Sequence, residues 1–208
     1  MKLIRKSDIE TKRWSGGTTS EIAIYPEGAV YADRDFIWRL SSAVIEDEES
    51  TFTPLEDYQR FLTLRKGKLS LKHGSGDWYS ISPGEVTCFD GGQTTESKGK
   101  VTDFNLMLRK GKAGGNMLAT KIAAGDTFSF DCDEDAAEAG KGKKLMTAVF
   151  LSDGAGLRIE ANGETVAEIT EGETVLFESK EELAGLMGRV TGDSLVIISK
   201  IIIENAND

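Results

Sequence analysis

The apolar residues of this 208-residue chain come in short runs that alternate or cluster as they do in β-strands. Helical periodicity is scarce. Glycine separates the runs: the chain has 23 glycines and only 3 prolines, which is typical of tight turns between antiparallel strands. We therefore predict a mainly β protein. Runs with the strand pattern include residues 61–64, 69–72, 86–89 and 157–160.

Two segments near the end of the chain predict further elements. Residues 194–203 are rich in β-branched residues and far shorter than the roughly 20 residues that a membrane-spanning helix needs. They predict a buried strand. Residues 179–186 could form a peripheral α-helix, with Ser179 and Glu182 as its capping box.

A weak internal repeat predicts two related barrels. In each copy a strand, a glycine turn and a second strand are followed by an x-Gly-Glu turn and a strand that ends in Phe. The first copy comprises residues 62–71 and 82–89, and the second comprises residues 149–159 and 170–177.

The repeat divides the chain into two domains. We expect one barrel in residues 1–112 and the second in residues 113–208, closely packed as one compact unit. Between the copies, the polar and charged residues 131–144 predict a solvated connection.

The charge of the chain restricts its partners. The chain has 35 acidic and 25 basic side chains and a formal net charge of -10, which argues against a nucleic-acid partner. An anionic ligand would need a local positive group, such as an arginine inside a pocket.

Arg39 and Arg60 are the candidates for that group. Arg39 lies between Trp38 and Leu40, and Arg60 directly precedes Phe61, so both are fixed at strand positions. A guanidinium group can donate two parallel hydrogen bonds to a carboxylate. The alternative is that each arginine forms a structural ion pair with one of the many acidic residues.

A second candidate group comprises Trp14, Thr18, Thr19 and Glu21, together with Asn105. The glycines after Trp14 permit close backbone approach, and strand alternation places Thr19 and Glu21 on one face. Asn105 is an amide in an otherwise apolar strand, where it needs a hydrogen-bond partner. Alternatively, Trp14 plugs the barrel end, the threonines satisfy turn amides and Glu21 neutralises an arginine. Three further aromatic residues are expected in the core: Trp38, Phe52 and Phe104.

The segments that hold these candidates resemble the HutD/Ves family of small bacterial proteins. The resemblance covers residues 14–22, 36–42, 51–60 and 103–107, and in the second half it extends only to the architecture. At Ser20 the chain departs from the family, whose members usually carry a basic residue there.

The resemblance implies an all-β bicupin fold, with two jelly-roll barrels in one chain. It also implies a regulatory or sensing role in histidine utilisation or in stress response. The expected ligand is a small carboxylate such as urocanate or N-formylglutamate in the first barrel. Arg60 would clamp the carboxylate, and the ligand contacts would be completed by Arg39, Thr18, Thr19, Glu21, Asn105 and Trp14.

Cupins commonly bind a metal through histidines and a carboxylate, but this chain has one histidine, His73. Its glycine-rich surroundings predict a surface turn. We expect neither a metal nor another cofactor, because clustered ligands are missing from the sequence. Nucleophilic triads and phosphate-binding loops are not recognisable either.

The remaining expectations concern location and partners. Cys88 and Cys132 lie in unlike contexts and are expected to be free thiols in a cytoplasmic protein. We expect no membrane partner, and an exposed barrel edge could support a homodimer. Two alternatives to ligand sensing are a metal-free enzyme, with Glu21 as general base and Arg60 as anchor, and a scaffold that binds another protein.

Overall fold

A computed structural model of the protein describes residues 1–130 and 142–204. Strands dominate these residues, with three short 3-10 helices at Lys6–Asp8, Tyr31–Asp33 and Glu181–Leu183, so the all-β prediction is confirmed. Residues 131–141 of the predicted connection, including Cys132, lie outside the described residues. The strands are β1 (Lys2–Ile4), β2 (Thr11–Trp14), β3 (Gly17–Tyr25), β4 (Trp38–Ile45), β5 (Glu49–Thr51), β6 (Tyr58–Lys66), β7 (Leu69–His73), β8 (Tyr79–Ile81), β9 (Val86–Asp90), β10 (Thr95–Lys98), β11 (Val101–Arg109), β12 (Ala113–Ile122), β13 (Thr127–Ser129), β14 (Lys144–Asp153), β15 (Leu157–Ala161), β16 (Glu164–Ile169), β17 (Thr174–Phe177), β18 (Leu186–Val190) and β19 (Ser194–Ile203).

The chain forms two compact units. One comprises residues 9–117, which we call the first barrel, and the other comprises residues 1–8 and 118–208, which we call the second barrel. We predicted a division after residue 112, whereas the two units divide after residue 117. In addition, residues 1–8 belong to the second barrel, because β1 pairs with β17.

The first barrel contains a six-stranded sheet in the order β2-β3-β4-β11-β6-β9 and a four-stranded sheet in the order β5-β10-β7-β8. Alternate residues of β6 and β7 are fully buried in one apolar cluster, which fixes the inner faces of the two sheets. Trp38 and Phe104 are also buried, as predicted. The apolar cluster contains Leu62, Leu64, Leu69, Leu71, Ile81 and Phe89.

The second barrel repeats this plan with a five-stranded sheet, β1-β17-β14-β19-β12, and a four-stranded sheet, β13-β18-β15-β16. Its strand β19 is almost entirely buried, as predicted for residues 194–203. The core is apolar and includes Val149, Leu151, Leu157, Ile159 and Phe177.

The predicted repeat is visible in the strand pairing. β6 pairs with β9 in the first barrel, and β14 pairs with β17 in the second. In the turn before each of these partner strands, a glutamate carboxylate accepts a hydrogen bond from the backbone amide three residues earlier. Ser82 N donates to Glu85 Oε2 at 2.7 Å, and Thr170 N donates to Glu173 Oε2 at 2.9 Å.

The α-helix predicted over residues 179–186 is wrong. Only a single 3-10 turn forms, because Gly185 adopts a φ of 72° and β18 begins directly after it. The predicted capping box is also wrong, since Glu182 Oε2 accepts from Glu178 N. Among the described residues there is no helix with the length and apolar character needed to cross a membrane.

Candidate functional site

The two candidate arginines lie in one row across the six-stranded sheet. Met107 on β11 pairs with Arg39 on β4 and with Arg60 on β6. The arginines are therefore two strand spacings apart, roughly 9–10 Å between their backbones. Arg60 lies two and four residues before the core residues Leu62 and Leu64 on β6. Because residues two apart on a strand share a face, Arg60 lies on the inner face of the first barrel.

Arg60 is buried between two aromatic rings. It is 7% exposed, and its guanidinium carbon lies 4.9 Å from the centroid of the Phe52 ring and 5.3 Å from that of Phe89. Nη2 donates to Asn105 Oδ1 at 3.0 Å, whereas Nε has no hydrogen-bond partner among the described residues. Burial lowers the pKa of Arg60, and the charge of Asp103 opposes that shift. The structure thus pairs a buried cation with a neutral amide.

Asp103 extends this polar group into the barrel. Asn105 Nδ2 donates to Asp103 Oδ2 at 3.1 Å, and Ala43 N donates to Asp103 Oδ1 at 2.8 Å. Asp103 is 3% exposed, and burial raises its pKa to about 6 against the opposing effects of these hydrogen bonds and of Arg60. Sequence reasoning missed Asp103. Its position two residues before Asn105 on the same strand, and so on the same face, was the available signal.

Arg39 forms an ion pair with Glu21. Arg39 Nε donates to Glu21 Oε2 at 2.7 Å, and Nη1 donates to Ser41 Oγ at 2.9 Å. The ring of Tyr31 covers the guanidinium at 4.4 Å. Arg39 is 6% exposed, so the pair is shielded on the arginine side. These contacts correspond to the alternative in which Glu21 neutralises an arginine.

The two faces of β3 separate the other candidates on that strand. Glu21 pairs with Ser41 and Thr19 pairs with Ala43, which places both on the inner face with the arginines. Thr18 faces the opposite side. Ser20 shares that outer face, where its hydroxyl lies 2.7 Å from that of Thr11.

Trp14 lies away from the arginines. It pairs with Gly17, and Gly17 pairs with Ile45, six residues along β4 from Arg39, which corresponds to roughly 20 Å of strand. Trp14 is 40% exposed. Gly17 has a φ of 149°, and a side chain there would collide with the Val44 carbonyl, so this glycine does provide the close backbone approach predicted.

His73 is the last residue of β7 and faces inward, not in a surface turn as predicted. Its ring stacks on Phe89 at 4.5 Å. Nδ1 lies 2.8 Å from Thr95 Oγ1, and Nε2 lies 2.7 Å from the Tyr79 hydroxyl. Because Thr95 Oγ1 itself donates to the Gln93 carbonyl, Nδ1 donates to Thr95 Oγ1, and in the neutral imidazole Nε2 then accepts from the Tyr79 hydroxyl. Burial lowers the pKa of His73, and Arg60 lowers it further.

The residues present do not fit a cupin metal. Both nitrogens of His73 are engaged in hydrogen bonds. The inner-face residue that lies with His73 against the Phe89 ring is Arg60, and a guanidinium cannot ligate a cation. Within residues 1–130 and 142–204 there is no group of three or more His, Cys, Asp or Glu side chains that could hold a metal ion. Cys88 is a free, exposed thiol.

An apolar cluster covers the barrel end beside the arginines. Phe36 and Tyr58 stack at 4.3 Å, and the Tyr58 hydroxyl donates to the Phe36 carbonyl at 2.9 Å. Leu55 and Met107 complete the buried cluster. The arginines therefore adjoin buried apolar side chains on this side, and a less polar environment strengthens electrostatic interactions.

Solved structures with the same fold come from several bacteria. A conserved protein of unknown function from Pseudomonas aeruginosa PAO1 is 18% identical, with 96% of this chain and 97% of that chain covered and a TM-score of 0.73. HutD from Pseudomonas fluorescens SBW25 is 18% identical, with coverage of 98% and 96% and a TM-score of 0.61. The Escherichia coli pirin YhhW in complex with nickel(II) is 9% identical, with coverage of 96% and 97% and a TM-score of 0.64.

These likenesses confirm the predicted bicupin fold. No curated protein is significantly similar to this chain in sequence. The sequence model described as HutD, however, matches residues 6–184, which is most of the chain. The chain therefore belongs to the HutD family.

Proposed function

We propose that the first barrel binds a small carboxylate metabolite and that Arg60 is its anchor. The observation that carries the proposal is the state of this side chain: it is 7% exposed, and its Nε has no hydrogen-bond partner among the described residues. A buried donor without a partner is costly, and a ligand oxygen would satisfy it. Nε and one Nη group can donate together to one carboxylate.

The surroundings of Arg60 suit an anion despite the net charge of -10. Phe52 and Phe89 hold the guanidinium plane in place, so little side-chain entropy is lost when a ligand binds. Each charge-assisted hydrogen bond would contribute on the order of 1.5–3 kcal/mol in this buried position. Asn105 would orient the ligand beside Arg60, and the Arg39–Glu21 pair and Thr19 would line the adjacent part of the inner face.

We assign the ligand to the urocanate or N-formylglutamate type and the role to sensing or regulation in histidine catabolism or stress response. Membership of the HutD family supports this assignment. The HutD structure from P. fluorescens is described for a formate condition, and formate is the smallest carboxylate that could test the Arg60 site. The enzymatic alternative requires Glu21 to accept a proton, but its Oε2 already accepts from Arg39 Nε at 2.7 Å.

Thermal unfolding in the presence of formate, urocanate and N-formylglutamate tests the proposal. A ligand that binds only the folded state must raise the melting temperature with its concentration. We expect such a rise in the wild type and none in Arg60→Met, which keeps the length of the side chain but lacks its donors.

Arg158→Met is the matched control, because Arg158 belongs to an exposed ion pair in the second barrel. It should respond to the carboxylates as the wild type does. A wild type that responds to none of the three carboxylates at millimolar concentrations, or an Arg60→Met variant that still responds, would contradict the proposal.

A further inference from the structure

We infer that Asp103 and Asn105 form a proton-linked amide switch beside Arg60, so that the first barrel takes up one proton together with each carboxylate. The inference rests on the proposed carboxylate site. It assigns a role to Asp103 and restricts the ligand to one that presents a single negative charge to Arg60.

The first step is the charge balance of the buried cluster. Arg39 and Arg60 are cations, and Glu21 and Asp103 can neutralise them one for one. An added carboxylate leaves one negative charge in excess within a group of side chains that is largely removed from water. Such an excess is unfavourable, and the cluster can remove it by binding a proton.

The second step identifies the proton acceptor. Glu21 is in direct contact with Arg39 and its side chain is 35% exposed, so its charge is compensated. Asp103 is 3% exposed, and among the described residues no guanidinium forms a hydrogen bond or an ion pair with its carboxylate, because Asn105 lies between it and Arg60. The pKa of Asp103 is already raised to about 6 by burial, and an anion beside Arg60 would raise it further.

The other groups that face this cluster do not provide an easier proton site. His73 on β7 has its pKa lowered by burial and by Arg60, and both of its nitrogens are engaged. The ring of Tyr31 covers Arg39 at 4.4 Å. The charged and titratable groups around Asp103 within the described part of the chain include Arg39 on β4, Arg60 on β6, Glu21 on β3, His73 on β7 and Tyr31 in the 3-10 helix. Arg65 on β6 lies behind the backbone of Asp103, because its Nη1 donates to Ser42 Oγ, which itself donates to the Asp103 carbonyl.

The third step is the geometry of Asn105. When Asp103 is ionised, Asn105 Nδ2 donates to its Oδ2 and Asn105 Oδ1 accepts from Arg60 Nη2. In this arrangement the amide consumes one donor of Arg60. The site is then satisfied internally on that side, and Nε is a fully buried donor that has no partner among the described residues.

A proton from solvent on Asp103 Oδ2 reverses this arrangement. The carboxylic acid is now a donor, so the amide must turn to present Oδ1 to it. The turn places Nδ2 next to Arg60 Nη2, where two donors face each other. A carboxylate oxygen can accept from both, and Nε–H and Nη2–H of Arg60 become available on the same edge of the guanidinium. Proton uptake and carboxylate binding therefore favour each other.

Isothermal titration calorimetry with formate tests the switch, because formate stays ionised from about pH 5 to about pH 8. This range includes the pKa of Asp103, which is about 6. Titrations at pH ~7.5 in two buffers with unlike enthalpies of ionisation give the number of protons taken up. We expect close to one proton for the wild type. Its affinity for formate should fall by up to about tenfold for each pH unit above about 6.

Asp103→Asn provides the matched variant, because the new amide is a permanent donor toward Asn105 and imitates the protonated acid. It should take up no proton, and its affinity should be independent of pH and at least equal to that of the wild type at low pH. Asp90→Asn, which changes an Asp outside the barrel interior, should behave as the wild type does.

Two results would overturn the inference while the carboxylate site stands. One is formate binding by the wild type without proton uptake, and the other is undiminished uptake by Asp103→Asn. If Asp103→Asn does not fold, the uptake by the wild type decides alone. Failure of the wild type to bind formate at any pH would instead refute the carboxylate site itself.

Discussion

The two barrels carry different residues at the same place in the same fold. Arg60 on β6 pairs with Phe89 on β9, and the corresponding pair in the second barrel is Thr147 with Phe177. The aromatic partner is kept, but the arginine is replaced by a small residue. A barrel of this kind therefore closes without a guanidinium on its inner face.

The same contrast holds for the neighbours of Arg60. Asp103 and Asn105 correspond through their pairing to Val196 and Ile198 on β19, which pack against the apolar core of the second barrel. Apolar residues fill these two positions in the second barrel, although the buried Lys200 pairs with Thr147 in the adjacent row. The architecture therefore does not require Asp103 and Asn105 at these positions. The equivalent pairs are Asp103–Leu64 with Val196–Leu151 and Asn105–Leu62 with Ile198–Val149.

The largest effect is expected when the polar group is broken and not replaced. Asp103→Val alone removes the negative charge that favours the buried Arg60 cation and leaves Ala43 N and Asn105 Nδ2 without their acceptor, so it should destabilise the protein by roughly 3–5 kcal/mol at neutral pH. The triple variant Arg60→Thr, Asp103→Val, Asn105→Ile copies the second barrel. It should be close to the wild type or more stable, but unable to bind carboxylates.

Urea unfolding of both variants makes the comparison. A triple variant as unstable as Asp103→Val would mean that the first barrel needs its polar group for folding, contrary to the analogy between the barrels.

A smaller effect is expected from pH. The pKa of Asp103 in the folded protein is about 6, above its value in the unfolded chain, so protonation stabilises the folded state. This contribution is complete below the ordinary pKa of an aspartate and is lost as pH rises through about 6. It amounts to roughly 2–3 kcal/mol, since one pKa unit corresponds to about 1.4 kcal/mol.

The difference in unfolding free energy between the wild type and Asp103→Asn should therefore shift against the wild type from pH ~4 to pH ~7.5. Val196→Thr, at the equivalent place in the second barrel, should show a difference from the wild type that does not change with pH. A constant difference for Asp103→Asn would contradict the raised pKa.

The smallest effect concerns Thr147, the counterpart of Arg60. Its hydroxyl is buried and has no hydrogen-bond partner among the described residues. Thr147→Val removes this polar group at nearly constant volume and should stabilise the second barrel by about 0.5–1 kcal/mol. Thr63→Val is the matched control, because the hydroxyl of Thr63 donates to the Glu85 carbonyl at 2.7 Å, and it should destabilise the protein. A loss of melting temperature in Thr147→Val would show that the hydroxyl is needed.

The sequence was sufficient for the fold and for part of this contrast. Local alternation identified the strands around Leu62 and Leu157, and the repeated x-Gly-Glu turns identified the two barrels. Arg60 and Asn105 stood out because each is a polar residue in an apolar run. The structure brings these two side chains into contact.

The rest depended on contacts between distant strands, which local patterns do not determine. The pKa of Asp103 depends on a backbone amide of β4 and on the charge of Arg60 on β6. His73 is recognisable as an inner-face residue only from its contacts with β8, β9 and β10. Trp14 lies close in sequence to Thr19, but the pairing of β3 with β4 carries it to the far end of the strand. A register shift between Glu21 and Ala23 was equally invisible in the sequence.

The most direct test of the carboxylate site observes the Nε–H group of Arg60 itself. In a nitrogen–proton NMR correlation spectrum, the Nε–H signal that is missing in Arg60→Met identifies Arg60. We predict that this signal moves in proportion to bound formate, while the Nε–H signal of Arg158 in the second barrel does not. An unchanged Arg60 signal in the presence of bound formate would place the ligand elsewhere and contradict the account.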